Sequence, residues 1–583
     1  MADAETGPLT GPERGRALLA RWEAAKPANF YEDDEHLRSA LVRRMGPARL
    51  ARLEPDLHRA GADSAGPVSR AALELDRPEH LPRLESWSPM GERREDVVFH
   101  PLHHEVGRRV WSSGVLAALA EPGGVTAHAA LAYLFALNGE VPHLCSVACT
   151  AGLVKAIQRA GADWMRREWL PRLVERDYDR RWHAAQFLTE VQGGSDVGAN
   201  ACVARPDDRR LGRWRLSGEK WFCSNAGADL YAVTARPEGA AGGTAGLGLF
   251  VVPRRLPDGR PNGVHLRRLK PKLGTRTLPT AEVALEDAEA WQLGALEDGF
   301  KLTMGIVVNT SRLGVGIACA GIMRRAWLEA AHYARAREAF GRRLIDFPAV
   351  ACQLAEMRAL AAGALASTLW VASLEDRLAL AGARPEEDPL YRTAVTVNKH
   401  VCSADAVRVV HHAIEILGGN GTVEDVSPIP RLYREAPIHE NWEGPHNTLM
   451  AQVLRDARRS KMHEALLGGA QGVLLGVQTP ALAPLRDRAL TALDDVRHAF
   501  ARLLRGDAAL ADLRVRRIVA RSGRVVQAAL LLDEAQAAPA LRWLADAAAL
   551  LLGTPDGPPA WSAAEADDPE TIRRLVRLDA AER

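Results

Sequence analysis

The period of the sequence changes twice, and that change constrains the fold more than any single residue does. From about Gly11 to Ala185 apolar residues recur at helical spacing, as at Leu37, Leu41, Val42 and Met45. The stretch from Leu131 to Leu153 is apolar enough for a buried helix pair. Near Gln186 turn signals become dense, with Pro206-Asp207-Asp208, Pro237-Glu238-Gly239 and Pro257-Asp258-Gly259. Short β-prone runs lie between them: Leu230 to Thr234, Leu249 to Val252 and Ala281 to Leu285. This spacing predicts a compact antiparallel β domain. From Gly299 onward, long stretches rich in Ala and Leu and free of internal proline return, at Thr303 to Arg337, Val350 to Leu380, Tyr391 to Leu417 and Thr448 to Arg459. They predict a helical bundle. A further helical segment runs from Met462 to about Leu552, and the Pro-, Ala- and acid-rich tail after Gly553 reads as loose. The expected class is α+β and mostly helical. An N-terminal extension and helical domain spans 1–185, a β domain 186–298, a bundle 299–460 and a C-terminal helical extension 461–583.

Composition removes several classes. With 583 residues and 47% hydrophobic residues the chain is too long and too apolar for disorder. Its 75 basic and 73 acidic residues exclude a binder that is basic throughout, though not a local basic patch. No run of about eighteen apolar residues is found, so no membrane partner is expected. The segment Met1 to Pro8 is acidic and polar, unlike a secretory signal, and the seven cysteines include no Cys-x-x-Cys pair. Reduced buried thiols and a cytoplasmic location are the simplest expectation.

Common catalytic arrangements are poorly represented. His103-His104-Glu105 is not a His-Glu-x-x-His motif, and the adjacent His411 and His412 do not share a helix face, so no metal site is expected. No phosphate loop or Gly-x-Gly-x-x-Gly turn appears. Three segments stand out instead. Thr189-Glu190-Val191-Gln192-Gly193-Gly194-Ser195-Asp196 is either a plain turn or a place where backbone N–H groups meet an anion or a polar ring edge. Lys220-Trp221-Phe222-Cys223-Ser224-Asn225 can fill a core or wall a flat ring. Gly418-Gly419-Asn420-Gly421 is followed by Arg431, Arg434 and Trp442-Glu443-Gly444. A carboxylate desolvated beside Trp442 would rise towards the pKa a general base needs.

In this order the segments resemble the acyl-CoA dehydrogenase family. The same pattern takes in Lys272-Leu273-Gly274-Thr275-Arg276 and Tyr333 through Arg337-Glu338-Ala339-Phe340-Gly341. The likeness extends to the AidB branch through Thr189 to Val197, Lys220 to Ser224, Pro430-Arg431-Leu432-Tyr433-Arg434-Glu435, the early Asn29-Phe30-Tyr31 and Asp96 to Pro101.

The resemblance implies FAD held between the β domain and the bundle of a homotetramer, and an acyl-CoA or related small molecule as substrate. It implies that Gln186, Thr189, Gly194 and Ser195 bond the ring edge or the pyrophosphate, and that Trp221, Phe222, Cys223 and Ser224 line the ring. Trp442, Gly444 and Asn447 would meet the flavin from the bundle, with Gly418 and Gly419 in the cofactor set. Arg337 would pair with the pyrophosphate of a neighbouring subunit. Glu443 would be the base of an α,β-dehydrogenation, with Arg312 orienting it. The electron acceptor is not specified by the sequence. Pro445 and His446 depart from the family's pattern after Glu443-Gly444: proline lacks an N–H and His446 adds a titratable group. That change motivates a second reading, a flavin oxidase or monooxygenase. A third reading, a flavoprotein that binds double-stranded DNA in alkylation stress, rests on the basic run Arg502, Arg505, Arg514, Arg516, Arg517, Arg521 and Arg524.

Overall fold

The structure, a computed structural model, describes residues 11–140, 142–208, 210–380, 387–553 and 569–576. The Met1–Pro8 segment and most of the tail after Gly553 lie outside the described residues. The N-terminal part is helical, with α1 (Glu35–Met45), α2 (Pro47–Asp63), α3 (Val125–Ala136) and α4 (Leu144–Ala160). A hairpin of β1 (Arg83–Trp87) and β2 (Arg93–Val98) interrupts it. Helices α3 and α4 form the apolar pair expected between Leu131 and Leu153, and every residue of α3 except Ala127 is buried.

The β domain is a seven-stranded sheet: β3 (Ala184–Phe187), β4 (Val203–Asp208), β5 (Arg213–Ser224), β6 (Leu230–Pro237), β7 (Gly248–Pro253), β8 (Val264–Leu269) and β9 (Thr280–Gln292). Strand order is β3-β6-β4-β5-β9-β7, with β8 on β9, and pairing of β6 with β7 closes the path on itself. The sheet is not purely antiparallel, because β6 runs parallel to both β3 and β4. Local turn signals cannot reveal those pairings, since they join segments brought together by a crossover. Strands β6 and β7 are buried on both faces. Tyr231, Val233, Phe250 and Val252 fill the β core, while Leu230, Ala232, Leu249 and Val251 pack on the helices.

The bundle follows as α5 (Asn309–Ala336), α6 (Pro348–Ala379), α7 (Glu387–Leu417), α8 (Ile429–Asn441) and α9 (His446–Ser460). A π-helical turn over Thr303–Val308 leads into α5. The segments 296–336 and 348–379 are long and apolar enough to cross a bilayer by length and composition, contrary to the sequence expectation, but 89% and 100% of their apolar windows are buried inside the protein. Between α5 and α6 a short hairpin, β10 (Glu338–Ala339) and β11 (Arg342–Arg343), carries Phe340 at its tip, 96% exposed. The extension contributes α10 (Met462–Leu475), α11 (Ala483–Arg505), α12 (Ala508–Ala537) and α13 (Trp543–Gly553), and α12 packs against α6, α7 and α9. One apolar core is continuous through the N-terminal helices, the bundle and this extension.

Candidate active site

The site begins with a strained turn. Between α8 and α9, Glu443 adopts φ +56° and Gly444 φ +103°, and a side chain in the left-handed region costs on the order of 1 kcal/mol. Two buried cations hold the turn. Arg312 on α5 donates from Nε to the Glu443 carbonyl at 3.2 Å. Lys399 on α7 donates from Nζ to the carbonyls of Glu440 at 2.8 Å and Gly444 at 2.9 Å. Arg312 is itself fixed by Gln452 at 2.9 Å and Thr396 at 3.2 Å.

The Glu443 carboxyl faces the β domain, where Gln186 on β3 donates from Nε2 to its Oε1 at 2.8 Å. Ser311 on α5 locks the same amide at 3.1 Å. Burial pushes Glu443 up to about 7, and the charges of Arg312 and Lys399 and the Gln186 bond oppose the rise. Burial also brings Arg312 down to about 10 and Lys399 down to about 8. Beside the carboxyl, Trp442 packs on Leu278, Cys145 and Cys149, which together form an apolar wall.

The Thr189–Asp196 segment is anchored rather than free. Lys220, 1% exposed, donates to Glu190 at 2.7 Å, and the Glu190 carboxylate also accepts the backbone N–H groups of Ala201 and Cys202. Burial alone would raise Glu190, but Lys220 and these donors hold it below its usual value. The Trp221 N–H donates to the Thr189 carbonyl at 2.9 Å, tying the loop to β5. Ser195 reaches Thr448 on α9, hydroxyl to hydroxyl, at 3.0 Å. Helix α9 starts beside Glu443 with no side-chain cap. Its N-terminal N–H groups, those two hydroxyls and the half-exposed ring of Phe222 suit a flat, polar-edged ring with an anionic tail. Gln186, Thr189, Ser195, Trp442, Gly444 and Asn447 therefore gather at one junction of β domain and bundle.

Other expected residues fall elsewhere. Cys223 is fully buried in the β core, because alternation along β5 sends it to the face opposite Phe222. It cannot line the cleft. Ser224 bonds Thr280 at 3.0 Å at the end of the same strand. Arg312 and Arg337 stand at opposite ends of α5, about 38 Å apart at ~1.5 Å per residue. Gly418 and Gly419 lie about 28 Å beyond Lys399 along α7. Asn420 bonds Tyr333 at 3.0 Å, so this group gathers with Arg337 at the far end of the bundle. His446 also leaves the cleft: it is buried, its Nε2 2.9 Å from Ser403 and its Nδ1 3.2 Å from Arg516. Burial carries it down to about 4. Neutral and turned away from the cleft, it does not place a titrating group over a flavin.

The basic run is partly spent inside the chain. Arg524 pairs with the buried Asp405, Arg521 donates to the Leu552 carbonyl, Arg516 to His446 and Arg505 to the Ala501 carbonyl. Arg502, Arg505, Arg514, Arg516 and Arg517 are all exposed at the surface. Lys272 to Arg276 turns out to be a docking element. A Cβ on Gly274 would sit 2.1 Å from the Arg434 carbonyl, and Arg276 forks onto Asp76 of the N-terminal part. His103 stacks on Phe99 at 3.8 Å, as a packing histidine. Lys399, Gln452, Ser311 and Thr448 were not among the site residues expected from the sequence. Of these only Lys399 left a trace, as the single Lys or Arg in the segment 393–402.

Three protein-family models match the chain. Residues 297–457 match the model of the acyl-CoA dehydrogenase C-terminal domain and 185–288 that of the middle domain. Residues 22–180 match the N-terminal domain of the adaptive response protein AidB. The chain is 34% identical to the putative acyl-CoA dehydrogenase AidB of Escherichia coli over 399 residues, 66% of this chain and 71% of that one. It is 30% identical to acyl-CoA dehydrogenase family member 11 of Caenorhabditis elegans over 441 residues, 73% of this chain and 70% of that one. The crystal structure of C. elegans ACDH-11 in complex with C11-CoA superposes with a TM-score of 0.82 at 26% identity, covering 100% of this chain and 93% of that one. With its three family domains in order and a carboxylate poised at the junction of β domain and bundle, the chain belongs to the acyl-CoA dehydrogenase family of FAD-dependent oxidoreductases, in the AidB-like branch.

Proposed function

We propose that the protein dehydrogenates an acyl-CoA thioester between Cα and Cβ, with Glu443 as the base. The observation that carries the reading is the Glu443 carboxyl, desolvated to about 7 and held at Oε1 by Gln186. Oε2 is the oxygen that Gln186 does not engage, and it takes the α-proton. A thioester α-proton is weakly acidic, so the base must be both close and desolvated. The wall of Trp442, Leu278, Cys145 and Cys149 receives the acyl chain and excludes water from the carboxyl. FAD, when bound, accepts the β-hydrogen as hydride. Gln186, the Ser195–Thr448 pair and the start of α9 would hold it, with Trp221 and Phe222 against the ring. The complex of the C. elegans relative with C11-CoA supports an acyl-CoA substrate.

Arg337, Gly418 and Gly419 serve the cofactor of a neighbouring copy in this reading. Their distance from Glu443 within one chain and the exposed Phe340 hairpin between α5 and α6 support a homotetramer in which each cleft is completed in trans. The test is flavin bleaching under anaerobic conditions with a panel of straight-chain acyl-CoAs. Glu443→Gln should keep FAD bound and lose flavin reduction by about 10²–10⁴-fold, the usual worth of a positioned base. Reduction at the wild-type rate would show that Glu443 is not the base.

A further inference from the structure

The C-terminal extension lies beyond residue 457, where the match to the acyl-CoA dehydrogenase C-terminal domain ends. One of its side chains nevertheless reaches the Glu443 turn. Arg516 on α12 donates from Nη2 to His446 Nδ1 at 3.2 Å. With Nδ1 accepting, the ring proton must sit on Nε2, which faces Ser403 Oγ at 2.9 Å. The Ser403 hydroxyl then donates to the Lys399 carbonyl at 2.8 Å. Lys399 in turn holds the carbonyls of Glu440 and Gly444, the two that flank Trp442 and Glu443. Every link has its donor and acceptor in the right order. His446 is also the first residue of α9, so fixing its ring fixes the outgoing end of the turn. The ring packs edge-on against His400 at 4.4 Å, which leaves little freedom for a flip.

We propose that Arg516 is a positioning residue for Glu443, acting through the His446 tautomer, and that the extension thereby helps to aim the base from outside the family's common domains. This rests on the reading of Glu443 as the base. The groups that face the turn are Arg312 from α5, Lys399 from α7, Glu440 from α8 and Arg516 from α12. Without Arg516 the ring can take either tautomer, the Ser403 link is made only part of the time, and the turn that presents the carboxyl loosens. Substrate affinity is not involved, because Arg516 does not reach the cleft.

The test compares full-length, FAD-loaded wild type with Arg516→Ala, Arg516→Lys, Asp512→Asn and Glu443→Gln. Asp512 is an exposed acid one helical turn before Arg516 and serves as a charge control. Two readouts are taken: flavin reduction by straight-chain acyl-CoAs as a function of pH, and the ¹⁵N shifts of His446. Arg516→Ala should slow reduction about tenfold, the scale of one charge-assisted hydrogen bond. Its KM should not change, its pH midpoint should move down as the carboxyl gains water, and His446 should show mixed tautomers in place of a single Nε2–H form. Arg516→Lys, which can still donate, should restore much of each, and Asp512→Asn should match wild type. A wild-type rate, midpoint and tautomer in Arg516→Ala would overturn the inference alone, provided Glu443→Gln is inactive. An active Glu443→Gln would overturn the base reading and this inference with it. The nitrogen shifts need no thioester, so an unchanged tautomer in Arg516→Ala counts against the proposal whatever the substrate.

Discussion

Glu443 is costly to keep where it is, and the cost should be measurable. Its carboxyl stands at about 7 in the folded protein against an ordinary 4.5. Between those values the folded chain holds a proton that the unfolded chain has released. Stability therefore falls as pH rises through that window, and the penalty is full above about pH 7. Glu443→Gln removes it. The variant should gain stability over wild type progressively from about pH 4.5 to 7 in chemical denaturation, and a gap independent of pH would contradict the assigned environment. Lys399 is the opposite case. It is fully buried and satisfies two carbonyls. Lys399→Met should cost about 2–4 kcal/mol by denaturant midpoint, since both carbonyls lose their donor, and should slow flavin reduction as the turn relaxes. At this scale Glu443 could be singled out as the candidate base, because Trp-Glu-Gly sits in a recognisable order of motifs. Lys399 and Gln452 were not. Each matters through a backbone carbonyl or another side chain met only on folding, and such contacts leave no mark in spacing.

Elements were legible in proportion to how local their determinants are. The stretches free of internal proline and rich in Ala and Leu became α5, α6 and α7 with boundaries close to those expected. Helix α8 was not foreseen, because Pro430 and Pro437 speak against a helix. Pro430 falls in its first turn, where no N–H is needed, and the buried face of Arg431, Leu432, Glu435 and Ala436 supplies the packing. Cys223 shows the converse limit: its strand was expected, but which face it occupies depends on register. The Thr189–Asp196 segment and β5 work as one unit through the buried Lys220–Glu190 pair, whose side chains are 0% and 4% exposed. Lys220→Met would strand the carboxylate and should cost about 3–5 kcal/mol. Adding Glu190→Leu should recover part of that loss, and both effects can be read from thermal or denaturant unfolding. A single variant as stable as wild type would mean that the loop is held by other contacts.

The residues expected to meet the cofactor are split between two ends of the bundle. Glu443, Gln186, Arg312 and the start of α9 converge at one end, and Arg337 with the Gly418–Gly421 segment marks the other. About 38 Å of α5 separates the two, so the proposed shared cofactor would have to draw them from different copies. Arg337→Ala should therefore weaken FAD retention, measured by flavin release on dilution, without altering the pH dependence of the flavin that stays bound. Phe340→Ser should lower the oligomer mass measured by light scattering. A mass unchanged by Phe340→Ser would place the copy-to-copy contact elsewhere. The chain carries 75 basic and 73 acidic residues in all, and in the basic run from Arg502 to Arg524 the Arg524 charge is met by Asp405, while Arg502, Arg505, Arg514, Arg516 and Arg517 are exposed.

The most direct test of Glu443 as the base is the pH dependence of anaerobic flavin reduction under single-turnover conditions. The rate should rise with pH as the Glu443 carboxylate forms, with a midpoint near 7, and should be lost in Glu443→Gln. A rate flat from about pH 5 to 9, or a Glu443→Gln variant with the wild-type profile, would contradict Glu443 as the base.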